Sequence, residues 1–223
     1  MQMMRWIGFF SASPEMRTMI HLFPASKNVS GPYPVQCRVS IFGYGLDRQQ
    51  ITLEGCRCGQ PDGIWLEEAF PTLKDESLML RGVQIELSAA QPHINLSSSQ
   101  IMIELVNGEV STRYFPQLAP RILLDDSTKR ISAITFQDLS MDTSLIMINP
   151  SSGELDIPHI ERLDRSDGRL VVRKEEVAEW TIQKEHLNIH PLSFEVNATT
   201  PAVWYGVYRQ PNSRKILSIV GLD

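Results

Sequence analysis

The feature that most constrains this chain is a period of two in its hydrophobic pattern, met repeatedly in short runs. In "VQCRVSIF" (35–42), Val35, Cys37, Val39 and Ile41 alternate with Gln36, Arg38 and Ser40. Successive side chains of an extended strand point to opposite faces, so such a run buries one face and wets the other. "GYGLDRQQ" then reads as a turn before "ITLEGCRC". The alternation returns in "VQIELS" (83–88) through Val83, Ile85 and Leu87, and "IMIELV" (101–106) runs into the hairpin signal "NGE" (107–109). The second half reads alike, with "SLIMIN" (144–149), "RLVVRK" (169–174), "LSFEVNA" (192–198), "AVWYGVYR" and "KILSIVGL" as strands and "PSSGE" and "RSDG" as turns. Two segments have helical character: the Met-rich N-terminus and 172–187. The apolar positions 177, 180, 182 and 187 of the latter fit neither period, and it is assigned to strand.

Many short strands separated by frequent turns predict an all-β fold. The 223 residues, 42% hydrophobic and 21% charged, suit one large or two small globular domains. The Pro-containing stretch 115–130 divides two halves of similar plan. The expectation is two tandem jelly-roll-like β-sandwiches, 1–118 with a short N-terminal extension and 119–223. A single larger sandwich is the alternative.

The chemistry-bearing residues do not assemble into a reaction. A net charge of -5 without a Lys/Arg cluster argues against nucleic acid as a partner. The apolar run Trp6 to Phe10 is too short for a signal core or a membrane span, so no membrane partner and a cytoplasmic location are expected. The sequons at Asn28, Asn95 and Asn197 would matter only after export. In "QIELSAAQPHINLSSSQIMIEL" (84–105), Pro92 belongs at a turn, His93 opens an outward face, and Ser97, Ser98 and Ser99 read as a loop. No G-x-S-x-G elbow surrounds them. His186 and His190 would share an ion on a helix, but on a strand they lie about 13 Å apart. Cys56 and Cys58, with Cys37, lack zinc spacing and a fourth ligand and read as buried thiols. Glu67–Glu68 and Asp125–Asp126 are adjacent pairs pointing to opposite faces. Asp164, Asp167 and Gly168 lack calcium-loop spacing. No P-loop or dinucleotide fingerprint is present. Neither a metal nor a cofactor is expected.

Aromatics remain: Trp65, Trp180, Trp204, Tyr205 and Tyr208. Trp204 and Tyr205 are neighbours on one strand, so one enters the core. The other is an exposed aromatic suited to an oligomer interface or to stacking on a sugar. The segments "SLIMINPSSGELDI" (144–157) and "SFEVNATTPAVWYGVYRQPNSRKILSIVGL" (193–222) resemble the sensory rhodopsin transducer family. Pro201, Ser213 and Arg214 fall where that pattern wants them, while Trp204, Tyr205 and Gly206 stand where the family has a polar Gln-His pair. The resemblance implies a small jelly-roll-like sandwich used for non-enzymatic, oligomeric binding of carbohydrate or protein. The expected function is therefore a non-catalytic binding or assembly protein, a homo-oligomer recognising a protein or a small polar or carbohydrate ligand. Trp204, Tyr205, Tyr208 and Arg214 form its ligand or interface surface. The alternative is a carbohydrate-active hydrolase whose carboxylates are assembled by the fold.

Overall fold

The computed structural model describes residues 2–13, 15–23, 32–75, 79–89, 94, 96–108, 110–119, 128–133, 141–157, 170–181, 192–197, 202–211 and 215–222. The fold is all-β. Its sheets are antiparallel, and α-helix among the described residues is confined to α1 (Leu66–Ala69). No helix there is long and apolar enough to cross a membrane. The chain divides into two compact units, Met1–Ala119 and Pro120–Asp223.

The first unit holds β1 (Gln2–Ala12), β2 (Met16–Leu22), β3 (Tyr33–Pro34), β4 (Gln36–Gly43), β5 (Leu46–Leu53), β6 (Arg57–Cys58), β7 (Ile64–Trp65), β8 (Met79–Ala89), β9 (Ile101–Asn107), β10 (Val110–Tyr114) and β11 (Gln117–Leu118). They form a five-stranded sheet ordered β11-β1-β8-β4-β5, a four-stranded sheet ordered β10-β9-β2-β7, and the small β3-β6 pair. The alternation does what it dictates. Trp6, Ile85 and Val39 lie in one cross-strand row and are fully buried. The next row, Arg5, Glu86, Arg38 and Thr52, belongs to the opposite, outer face.

The two larger sheets meet at Gly8. A Cβ there would sit 2.6 Å from Ile103 Cδ1 of β9, so glycine permits the close approach. Tyr114, at the end of β10, stacks on Phe9, accepts from the Phe9 amide at 2.8 Å and donates to the Phe9 carbonyl.

Two expectations are corrected here. The Met-rich N-terminus is the central-sheet strand β1, not a helix, because Trp6 and Phe9 are buried on opposite faces and the chain is covered on both sides. The turn after β4 is only Tyr44–Gly45, and polar "LDRQQ" already belongs to β5, an edge strand with a wet outer face. Gly45 takes φ +71°, the left-handed conformation the tight turn needs. The serine run forms the 3-10 turn Ser98–Gln100, capped by Ser97, and the Ser98 carbonyl accepts the Trp6 indole N–H at 2.9 Å.

The second unit holds β12 (Thr128–Ala133), β13 (Asp142–Asn149), β14 (Leu155–Ile157), β15 (Leu170–Val172), β16 (Glu176–Thr181), β17 (Leu192–Asn197), β18 (Val203–Arg209) and β19 (Ile216–Leu222). The main sheet is ordered β16-β13-β18-β19, beside the pairs β12-β17 and β14-β15. Asn149 is fully buried at the end of β13. Its Nδ2 donates to the carbonyls of Gly153 at 2.8 Å and Arg173 at 2.8 Å, while its Oδ1 accepts from the Ser151 amide at 3.0 Å. One side chain thus folds the "PSSGE" turn back and ties it to the chain leaving β15.

Candidate functional site

The aromatic residues of β18 are not exposed. Trp204 keeps 2%, Tyr205 0% and Tyr208 2% of their surface, which corrects the expectation of one exposed ring. The register explains it. Trp204 lies beside Met147 on one face and Tyr205 beside Ile146 on the other. Trp204 stacks on Trp180 with centroids 6.4 Å apart. The chain covers both faces of this sheet, and burial raises the Tyr208 pKa. Arg214, His93, His186, His190, the Asp125–Asp126 pair and the Asp164–Gly168 turn lie outside the described residues.

The outer face of the four-stranded sheet is built differently. The register aligns Arg113, Glu104, Met19 and Trp65 in one row across β10, β9, β2 and β7. Arg17, two residues before Met19 on the same face, lays its guanidinium 3.9 Å from the Trp65 ring centroid and pairs with Glu68 at 3.1 Å. Met19, Met102 and Val106 fill the surface between, each partly exposed. His21 donates or accepts through Nε2 at 2.7 Å from Glu104, whose other oxygen takes the Arg113 Nε–H at 2.9 Å. The His21 ring also stacks on the exposed Phe23.

Glu104 sets the electrostatics of this face. Burial pushes its carboxyl up, but hydrogen bonds from Ser111, His21 and Arg113 outweigh burial and hold it below the ordinary carboxylate range. It is an ionised anchor. An acid–histidine–serine relay needs the hydroxyl on the imidazole, whereas Ser111 bonds the carboxylate itself. The group orients an imidazole and a guanidinium without completing a nucleophile.

Glu67 behaves oppositely. β7 pairs with β2 only through Trp65 and Ile64, and the chain then turns into α1. The Thr18 amide is met instead by Glu67 Oε1 at 2.8 Å, a side chain in place of a ladder carbonyl. Glu67 Oε2 and Thr18 Oγ1 are buried without a partner, and burial raises the Glu67 pKa. The adjacent Glu67 and Glu68 do diverge, one buried and one exposed, but on α1 rather than on a strand.

All three cysteines are buried free thiols. Cys37 hydrogen-bonds Cys56, which pushes Cys37 up and Cys56 down, and burial pushes Cys58 up to about 11. Among the described residues no cluster of three or more His, Cys, Asp or Glu side chains could hold a metal.

Trp65 was visible in the sequence as an aromatic, but Arg17, His21 and Arg113 carried no local signal, since only strand register brings them to Glu104. The sign that could have found them is Glu104 itself, a carboxylate inside "IMIELV" on the face opposite Ile101, Ile103 and Leu105. Against known proteins, no family model, no curated protein and no solved structure matches this chain.

Proposed function

We propose that this chain is a non-catalytic binding and assembly protein made of two tandem jelly-roll-like β-sandwiches, and that the outer face of the four-stranded sheet docks a second copy. The observation that carries the reading is the Arg17 guanidinium stacked on Trp65, the cross-strand partner of Met19, and paired with Glu68. Arg, Trp and Met are the residue types enriched where protein surfaces meet, and the outer face of an antiparallel sheet is otherwise polar. The charges support a self-complementary contact. Arg17 is matched by Glu68 and Arg113 by Glu104, so two such faces meet without net repulsion although the chain carries -5. The sensory rhodopsin transducer resemblance of the C-terminal half agrees with oligomeric binding and rests on the residues quoted for it. Trp204 and Tyr205, first assigned to this role, serve as core instead.

The hydrolase reading needs an acid and a base facing each other across a sugar. The buried carboxylates among the described residues are Glu67, Glu86 and Glu104. Glu86 and Glu104 are held on both oxygens by guanidinium or imidazole partners and Glu67 on one by the Thr18 amide, which supports the binding reading.

Light scattering on purified protein tests the proposal. The wild type is expected to be a closed homo-oligomer at high micromolar concentration, and Arg17→Glu and Trp65→Ala are expected to be monomers. A strictly monomeric wild type overturns it.

A further inference from the structure

The outer face of the five-stranded sheet has a different character, and the case for it is independent of the docking face. Glu86, on the central strand β8, is flanked by Arg5 of β1 and Arg38 of β4 in one cross-strand row. Arg5 gives only its Nε–H to Glu86 Oε1, at 2.8 Å, and Arg38 gives Nη1 to Oε2 at a long 3.4 Å. Glu86 also accepts from Gln84 Nε2 at 2.9 Å, and Gln84 in turn accepts from Arg48. The Glu86 side chain is 10% exposed, while those of Arg5 and Arg38 are each 46% exposed. The carboxylate is sunk into the sheet and two guanidiniums stand above it.

We propose that this face binds a carboxylate-bearing saccharide, with Arg5 and Arg38 gripping the ligand's carboxylate. Two guanidiniums against one carboxylate leave a local charge of +1 on a chain of net charge -5. A guanidinium presents five N–H donors and no acceptor. Each of these two spends one donor on Glu86, so the rest of the fork faces outward toward an acceptor-rich ligand. Glu86 is a positioning residue that holds both forks over one spot.

Three features select an acidic saccharide. The neighbouring Gln50 and Gln36 are exposed, are held by the buried Ser40 and Ser88 only at 3.3 Å, and each amide offers both donors and an acceptor, as sugar hydroxyls require. Strands lie ~4.8 Å apart, a spacing close to the length of one pyranose ring, so successive sugars can address successive strands. Phe9 and Phe42 on the same face are fully buried and offer no stacking platform, so a neutral sugar has nothing to anchor it. Nucleic acid would need a longer run of cations than this row supplies.

The test is isothermal titration calorimetry on the full chain with short oligomers of galacturonate, glucuronate and mannuronate, their methyl esters, and oligoglutamate. At least one oligouronate is expected to bind about tenfold or more tighter than its ester and than oligoglutamate, since a charge-assisted contact is worth that factor. Binding should weaken with salt. Arg5→Ala and Arg38→Ala should each lower affinity about tenfold while the melting curve stays in place. Arg38→Lys should recover only part, because the fork is lost. No binding of any oligouronate, equal binding of the ester, or tighter binding of oligoglutamate overturns the proposal. If an Arg variant does not fold, the ester comparison and the salt series on the wild type still decide it.

Discussion

The main sheets of the two units solve the same problem in opposite ways. In the first unit's five-stranded sheet, β8 buries Val83, Ile85 and Leu87 on one face and sets Gln84, Glu86 and Ser88 on the other. Those polar groups are buried too, and their partners are Arg5, Arg38, Arg48 and Gln36 on neighbouring strands. In the second unit, β13 and β18 are apolar on both faces. Leu145, Met147 and Trp204 fill one side and Ile146, Ile148 and Tyr205 the other. The second face of the first unit's sheet is apolar and covered where Phe9 and Phe42 lie and polar around Glu86, where the half-exposed Arg5 and Arg38 can present chemistry to a ligand. A sheet covered on both faces is spent on stability.

The contrast is broken most directly at Trp204 and Tyr205. Each is closed in on its own side, so Trp204→Ala and Tyr205→Ala should each cost about 3–5 kcal/mol by urea denaturation. A loss below about 1 kcal/mol at either site would mean that face is open. Asn149→Ala removes the buried side chain that ties the Gly153 and Arg173 carbonyls and the Ser151 amide together in a solvent-edged turn. Water can reach the freed groups, so its cost should be smaller, about 1–2 kcal/mol, read in the same way.

In the first unit, Gly82→Ala drives a Cβ to 2.3 Å from the Phe42 ring. The expected loss is about 1–3 kcal/mol, because Phe42 cannot retreat from its buried seat. Arg38→Ala, on the polar face, should cost less than about 1 kcal/mol. That gap between two residues of one sheet, one apolar contact and one half-exposed ion pair, sharpens the comparison.

The pH dependence separates two carboxylates beside β2, Glu67 of α1 at Thr18 and Glu104 of β9 opposite Met19. Glu67 has a raised pKa in the fold, so its contribution is complete below the ordinary Glu pKa. It is lost as pH rises through the folded value. Glu104 has a lowered pKa, so its contribution is complete above the ordinary value and is lost as pH falls through the folded one. Glu67→Gln should therefore gain on the wild type as pH rises out of the acid range. Glu104→Gln should lose most at neutral pH and converge with it in acid. Parallel stability curves for the two variants would refute the assignment.

How much of this was legible depended on where the pattern was one-sided. β4, β8 and β9 announce themselves because their polar and apolar residues alternate. β1 was hidden because "MMRWIGFF" is apolar on both faces in its second half, and methionines and an arginine read equally well as helix. β5 was hidden because Asp47 and Gln50 are exposed and Arg48 and Gln49 both half-exposed, so the period of two is broken beside the irregularity in its pairing with β4. The surfaces were least legible. Arg5, Arg38 and Glu86 are far apart in the chain and meet only through the register of three strands. Trp204 and Tyr205 looked like a surface because two large rings on one strand exceed what a single core face needs. They are core because this sheet has two.

The placement of the thiols has a practical consequence for following the molecule in time. All three cysteines of the chain belong to the first unit and all are sealed in the fold. A thiol reagent added to the native protein therefore reacts only when that unit opens, and the labelling rate is a clock for its opening alone. The second unit has no cysteine, so the opening of the stacked Trp180–Trp204 pair leaves that clock untouched. Labelling that runs ahead of the loss of the whole chain's structure would show that the first unit comes apart before the second.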